Sequence, residues 1–374
     1  MVLPRHVYVH VPFCARRCTY CDFSIAVRRV VPVDEYITNL SRELDLRFPD
    51  RETWPVDTLY FGGGTPSRLG GDGVRRLTEA VRGRVELAPG AEVTLEANPE
   101  DITAEAVHAW RGAGVNRLSI GAQSFHDDVL AWMHRTHDAA AIGRAVAVAR
   151  DGGIDNLSLD LIFALPLGVE RSWEYDVAQA LALEPSHLSL YGLTVEPRTP
   201  LGRSQSRGEF TESPDESYEA EFLHAHEALT SAGFDHYEVS NFGKPGRHSR
   251  HNSAYWTGVP YVGLGPSAHE FDGTVRRWNV HAYTDWLGRM AADADPVDES
   301  EELTPDNRVA EQVYLGLRTV RGLPISPPEA SRIEAWIEAG WATLAAPDRI
   351  VLTPLGWLRL DALAADLTLV RSCY

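Results

Sequence analysis

Three of the four cysteines, Cys14, Cys18 and Cys21, lie in one run, Tyr8-Val-His-Val-Pro-Phe-Cys14-Ala-Arg-Arg-Cys18-Thr-Tyr-Cys21. The spacing C-x3-C-x2-C supplies thiolates for three irons of a 4Fe–4S cubane and leaves the fourth iron open to a ligand. Structural zinc normally takes four ligands and paired C-x2-C knuckles, and only one such pair is present. The fourth cysteine, Cys373, is the penultimate residue and stands apart. Clustered thiols in a chain poor in cysteine indicate metal or redox chemistry rather than a disulfide scaffold. Downstream, Gly62, Gly63 and Gly64 precede Thr65 and Pro66, and glycines there let backbone approach a ligand without a Cβ in the way. Glu96 closes an apolar run, and Asp160 lies between Leu159 and Leu161, where a buried carboxylate must find hydrogen bonds.

These residues need a frame. Short apolar runs near 6–11, 57–61, 92–97, 117–121, 157–163 and 187–195 read as strands. Amphipathic stretches such as 34–47, 103–112, 139–150 and 215–231 read as the helices between them. The cysteine loop, the glycine loop, Glu96, Gln123, Asp160 and Thr194 all fall at or beyond strand C-termini, the face where parallel α/β barrels place their sites. An α/β partial (β/α)6 barrel over residues 1–232 is expected. A region rich in aromatics, Gly and His follows to about residue 285, then an acidic stretch at 291–306 that reads as a linker; region and linker together are assigned to 233–300. Thr304-Pro305 starts a helix. A second helix near 327–340, a hairpin at Thr343–Leu352 and a last helix suggest a small α+β, winged-helix-like domain over 301–374.

With the cysteine motif and glycine loop in this order, the chain resembles the radical S-adenosylmethionine (SAM) superfamily. Members bind SAM on the open iron, and one-electron reduction of the sulfonium yields a 5′-deoxyadenosyl radical. The resemblance implies SAM contacts from Tyr8, Gly63, Gly64, Thr65, Glu96, Gln123, Arg135, Asp160 and Thr194, and it implies an external electron donor of flavodoxin or ferredoxin type. More narrowly, nearly the whole chain resembles the coproporphyrinogen dehydrogenase group. True dehydrogenases of that group carry a fourth cysteine two residues after the third and a long extension before the motif. Here position 23 is Phe and thirteen residues precede Cys14. Both departures point to the HemW branch, regarded as haem chaperones.

The run Arg250-His251-Asn252-Ser253-Ala254-Tyr255-Trp256 matches that branch's H-N-x-x-Y-W motif. It implies a haem site of His251, Asn252, Tyr255 and Trp256, with His251 on the iron and His248 and His269 as weaker alternatives. The expected function is a haem chaperone that binds a 4Fe–4S cluster, SAM and haem and passes haem to an acceptor protein, with no residue assigned a catalytic role. Oxygen-independent decarboxylation of coproporphyrinogen III is the alternative, and a radical enzyme with another substrate is a third reading.

The 374 residues, 44% hydrophobic and 24% charged, carry a net charge of −18. That balance opposes a duplex nucleic-acid partner. Without a leader or a long apolar run, a cytoplasmic protein with no integral membrane segment is expected.

Overall fold

The computed structural model of the protein describes residues 4–50 and 52–371; Cys373 lies outside them. All six expected strands form, as His6–Val11, Trp54–Gly63, Val85–Ala97, Arg117–Gln123, Asn156–Phe163 and His187–Gly192. They lie side by side in chain order, each parallel to the next. Helices Val33–Arg47, Gly70–Arg82, Ala104–Ala113, Ala139–Asp151 and Trp173–Ala182 supply the crossovers. Their ends follow from local chemistry. Thr103 and Asp138 accept the N–H groups of Ala106 and Ala141 as N-caps, and Gly114 (φ 105°) ends its helix in the left-handed region.

The strands alternate, and the alternation decides what the barrel encloses. In the first strand Val7, Val9 and Val11 are buried in the hydrophobic core. The intervening His6, Tyr8 and His10 share the opposite face, because successive side chains of a strand alternate sides. The same phase carries Thr58 and Tyr60, Thr94 and Glu96, Arg117 and Ser119, Ser158 and Asp160, and His187 and Ser189. Bonds such as His6 Nδ1 to Thr58 Oγ1 (2.9 Å) and Ser158 Oγ to His187 Nδ1 (2.8 Å) tie neighbouring strands together on this face. The interior is therefore a polar ladder, and the apolar core sits between sheet and helices.

The sheet has nine strands, and its last three come from beyond residue 232. Asn241–Gly243 pairs antiparallel with His187–Gly192, and Asp235–Glu238 lies outside it. Val262–Leu264 returns to the opposite edge, parallel to the first strand, with Val7 beside Val262. The expected break at 232 thus does not coincide with a sheet edge, because the aromatic region contributes strands at both sides. The expected linker at 291–306 is also corrected. Val297–Glu302 is a charged outer strand pairing with Val275–Asn279, which pairs in turn with His269–Phe271. Arg276 faces Glu301 across that pair, an opposite-charge contact that suits an acidic edge strand.

After Thr304 caps Pro305–Arg318, helices Ala330–Glu338 and Leu360–Arg371 surround a three-stranded sheet of Leu323–Pro324, Arg349–Leu352 and Ala342–Ala346. These are the elements expected of the C-terminal unit. Among the described residues no helix is long and apolar enough to cross a membrane.

Candidate functional site

At the C-terminal edge of the sheet a chamber of about 370 Å³ gathers Cys14, Cys18 and Cys21 with Gly63, Gly64, Thr65, Glu96, Gln123, Arg135, Asp160 and Thr194. Every expected SAM-site residue but Tyr8 lines it. The cysteine loop is held by a two-residue parallel ladder of Phe13–Cys14 with Ala26–Val27, extended by the Arg28 N–H donating to the Cys14 carbonyl (3.0 Å). All three thiols are free and half-buried. Burial raises the Cys14 thiol above its ordinary pKa and pushes Cys21 up to about 11.

The glycine loop closes tightly on the cysteine loop. A Cβ at Gly64 would meet the Pro12 carbonyl carbon at 2.6 Å, and Gly63 has φ +112° with the His10 ring 2.6 Å from any added Cβ. Glycine is required at both for the loop to pass this close.

Two carboxylates face the chamber. Glu96 receives the Tyr60 hydroxyl (2.8 Å) and the Gly63 N–H (3.0 Å). Burial nevertheless pushes its pKa up to about 7, the Tyr60 hydrogen bond pulling the other way. Asp160 accepts Ser119 Oγ at both oxygens (3.1 and 3.0 Å), and burial again raises its pKa. Arg135 donates to Asn98 Oδ1 (2.6 Å), to the Gly121 carbonyl (3.0 Å) and to Cys18 Sγ (3.6 Å), while its Nε is buried without a partner. Gln123 adopts φ +68° at its strand end. Three free thiols beside an orphaned guanidinium N–H and two buried carboxylates suit an anionic thiolate cluster together with a zwitterionic, cationic-sulfur ligand. Tyr60, Asn98 and Ser119 support these groups and were missed in the sequence; the available signal was the in-phase position of Tyr60 and Ser119 on their strands and the place of Asn98 just past a strand end.

A larger cavity of about 1290 Å³ adjoins this chamber and shares Phe23, Gly63 and Glu96 with it. Tyr8 belongs here, its hydroxyl 3.1 Å from His10 Nδ1. Tyr255, Trp256, His269, Phe271 and Arg276 form one wall, and helices Pro305–Arg318 and Leu360–Arg371 form another through Tyr314, Leu315 and Ala364. Trp256 is pinned by Arg318 over its ring (4.2 Å), and its indole N–H is buried without an acceptor.

The histidines separate by their surroundings. His251 is 1% exposed, with Nδ1 2.7 Å from Thr58 Oγ1, Nε2 2.9 Å from the Tyr255 hydroxyl and its ring stacked on Tyr60. Both nitrogens are engaged within the protein in this geometry, and burial lowers its pKa to about 3. Asn252, in the first turn of the same helix, does not line the cavity either. His248 pairs with Asp235 (3.0 Å) and stacks on Tyr237. His269 faces the cavity with its ring stacked on Trp278, and among the described residues its side chain has no hydrogen bond. His281, not singled out in the sequence, also lines the cavity.

Residues 8–174 match the Radical SAM superfamily. The chain is 38% identical over 373 residues to the heme chaperone HemW of Mycobacterium tuberculosis, covering 97% of this chain and 95% of that protein. It is 40% identical over 270 residues to the heme chaperone HemW of Escherichia coli, covering 71% and 70%. Among solved structures, coproporphyrinogen III oxidase (HemN) from Escherichia coli superposes with a TM-score of 0.81 at 23% identity, covering 97% of this chain and 90% of that one. That likeness speaks to the fold.

Proposed function

Because the chain belongs to the radical SAM superfamily and, within it, to the HemW family, we propose that it binds haem and hands it to an acceptor protein, with a 4Fe–4S cluster and SAM held beside the haem site. The observation that carries this reading is the pair of adjoining spaces, a small polar chamber holding three thiols and a larger cavity walled by aromatics. Cys14, Cys18 and Cys21 would hold the cluster, and Gly63, Gly64, Thr65, Glu96, Gln123, Arg135, Asp160 and Thr194 the SAM. When bound, cluster and SAM together supply one-electron chemistry at a sulfonium. This chain's residues orient the ligands and exclude water: Glu96 and Asp160 accept hydrogen bonds from them, and Arg135 offsets thiolate charge.

Haem suits the larger cavity in shape and chemistry. Tyr255, Trp256 and Phe271 offer faces for the macrocycle, while Arg276 and the unpartnered Trp256 indole N–H are donors for its propionates. His269, which lines the cavity without a hydrogen bond of its own among the described residues, would ligate the iron, and His251 would position Tyr255 through its hydroxyl. The C-terminal helices that complete the cavity give a route for release, since their separation from the barrel would open it.

The test uses anaerobically reconstituted protein, incubated separately with haem and with coproporphyrinogen III in the presence of SAM and reductant. Haem uptake with an intact Soret band, transferable to an apo-haemoprotein, is expected. Catalytic formation of protoporphyrinogen would replace this reading with the dehydrogenase.

A further inference from the structure

The segment from Pro12 to Val31 contains four arginines, Arg16, Arg17, Arg28 and Arg29, against one acid, Asp22, in a chain whose net charge is −18. The fold places them on both arms of the cysteine loop. Arg16 and Arg17 lie between Cys14 and Cys18, while Arg28 and Arg29 follow the strand that pairs with Cys14. Arg16, Arg17 and Arg29 are exposed, and Arg28 partly so. Elsewhere some arginines, such as Arg47, Arg75 and Arg276, are matched by carboxylates, while others, such as the exposed Arg82, Arg247 and Arg321, are in no ion pair among the described residues. Here Arg17 bonds to the Cys21 carbonyl and Arg28 to its neighbour Val27, and among the described residues none of the four meets a carboxylate. Two apolar side chains lie open between and beside them, Val27 (45% exposed) and Val30 (80%). A cationic rim around exposed apolar residues is the usual anatomy of a protein contact, in which complementary charge steers encounter and a small apolar centre excludes water.

We propose that this surface is the docking site for a small acidic one-electron carrier protein of the flavodoxin or ferredoxin class. The inference rests on the reading that Cys14, Cys18 and Cys21 hold a cluster. Arg16 lines the chamber that gathers the three thiols, so a carrier seated on this loop would sit beside a cluster held there. The step is a single electron transfer, in which the carrier is oxidised by one electron and the cluster reduced by one, with no bond made or broken. Charge is concentrated where the electron must enter, and the acidic remainder of the chain repels the same partner from other faces. A nucleic acid would need a longer basic track than four arginines flanked by Asp34 and Glu35.

The test compares wild type with the double charge reversal Arg28→Glu/Arg29→Glu, which lies outside the lining of the thiol chamber, and with Arg144→Glu/Arg207→Glu as a control outside the segment. Iron and sulfide are counted first, which tests the cluster reading by itself. Cluster reduction is then followed optically with a reduced flavodoxin, a reduced 4Fe–4S ferredoxin and photoreduced deazaflavin. Carrier affinity is measured calorimetrically on oxidised protein, with or without cluster. The expected result is a loss in carrier-driven rate on the order of tenfold to a thousandfold, weaker carrier binding, and a weaker dependence on ionic strength. Deazaflavin-driven reduction and the control stay unchanged. Arg28→Gln/Arg29→Gln should fall between wild type and reversal. Unaltered carrier affinity, or an equal loss with carrier and control variant, overturns the proposal. So does tight binding of single-stranded RNA or anionic vesicles at the same arginines in place of the carrier.

Discussion

Replacing Glu96 by Gln tests whether the chamber's central carboxyl is poised by burial. The carboxyl has an ordinary pKa of 4.5 and about 7 in the folded chain. Between those values the folded state holds a proton that the unfolded state has lost, so this group's contribution to stability is full below about pH 4.5. It declines as pH rises and is lost above about pH 7. The whole shift corresponds to about 3 kcal/mol, of which about 1.4 kcal/mol falls between pH 6 and pH 8, above the pI. Glutamine does not titrate. It keeps an acceptor for Tyr60 but turns an amide toward the Gly63 N–H, a pH-independent cost of about 1 kcal/mol. Urea unfolding of cluster-free wild type and Glu96→Gln at both pH values should therefore show the variant gaining about 1.4 kcal/mol relative to wild type on going from pH 6 to pH 8. A relative change under about 0.5 kcal/mol, or one of opposite sign, would refute the reasoning from burial. SAM affinity of the loaded wild type should rise through the same pH range, because donors on the ligand favour the ionised carboxylate, and that rise should vanish in the variant.

Cys14→Ala, Cys18→Ala and Cys21→Ala should each abolish iron loading while Cys373→Ala does not. Because Cys14 and Cys21 are held protonated by burial, reconstitution followed by iron content should speed up between pH 7 and pH 9. His269→Ala should shift or abolish the Soret band of cluster-loaded protein. His251→Ala should instead lower unfolding stability by about 1–3 kcal/mol, leaving the Tyr255 hydroxyl unpaired and Thr58 with His6 alone, with the haem spectrum retained. A lost Soret band in His251→Ala at unchanged stability would restore His251 as the ligand. Gly63→Ala should prevent SAM binding by equilibrium dialysis, since the added Cβ meets the His10 ring in a left-handed backbone.

The linear order of the chain determined much of this protein by itself. Strand and helix periodicity placed six βα units, because the period of a pattern is a local property that survives folding. The cysteine spacing and the strand-end residues named most of the chamber, because in a parallel sheet every strand C-terminus emerges on one side. Thr304-Pro305 marked a helix start through its own backbone preferences. Tertiary structure decided what depends on partners distant in sequence. The strand Val262–Leu264 joined the first strand across some 250 residues, too short for its pattern to declare a neighbour. The run at 297–302 looked like a linker for want of apolar residues, yet pairing to an arginine-bearing strand held it. His251 reads as a ligand in its motif, and only the fold brings Thr58 and Tyr255 to its two nitrogens. Which atoms of a histidine are left free is settled only when the chain has packed around it.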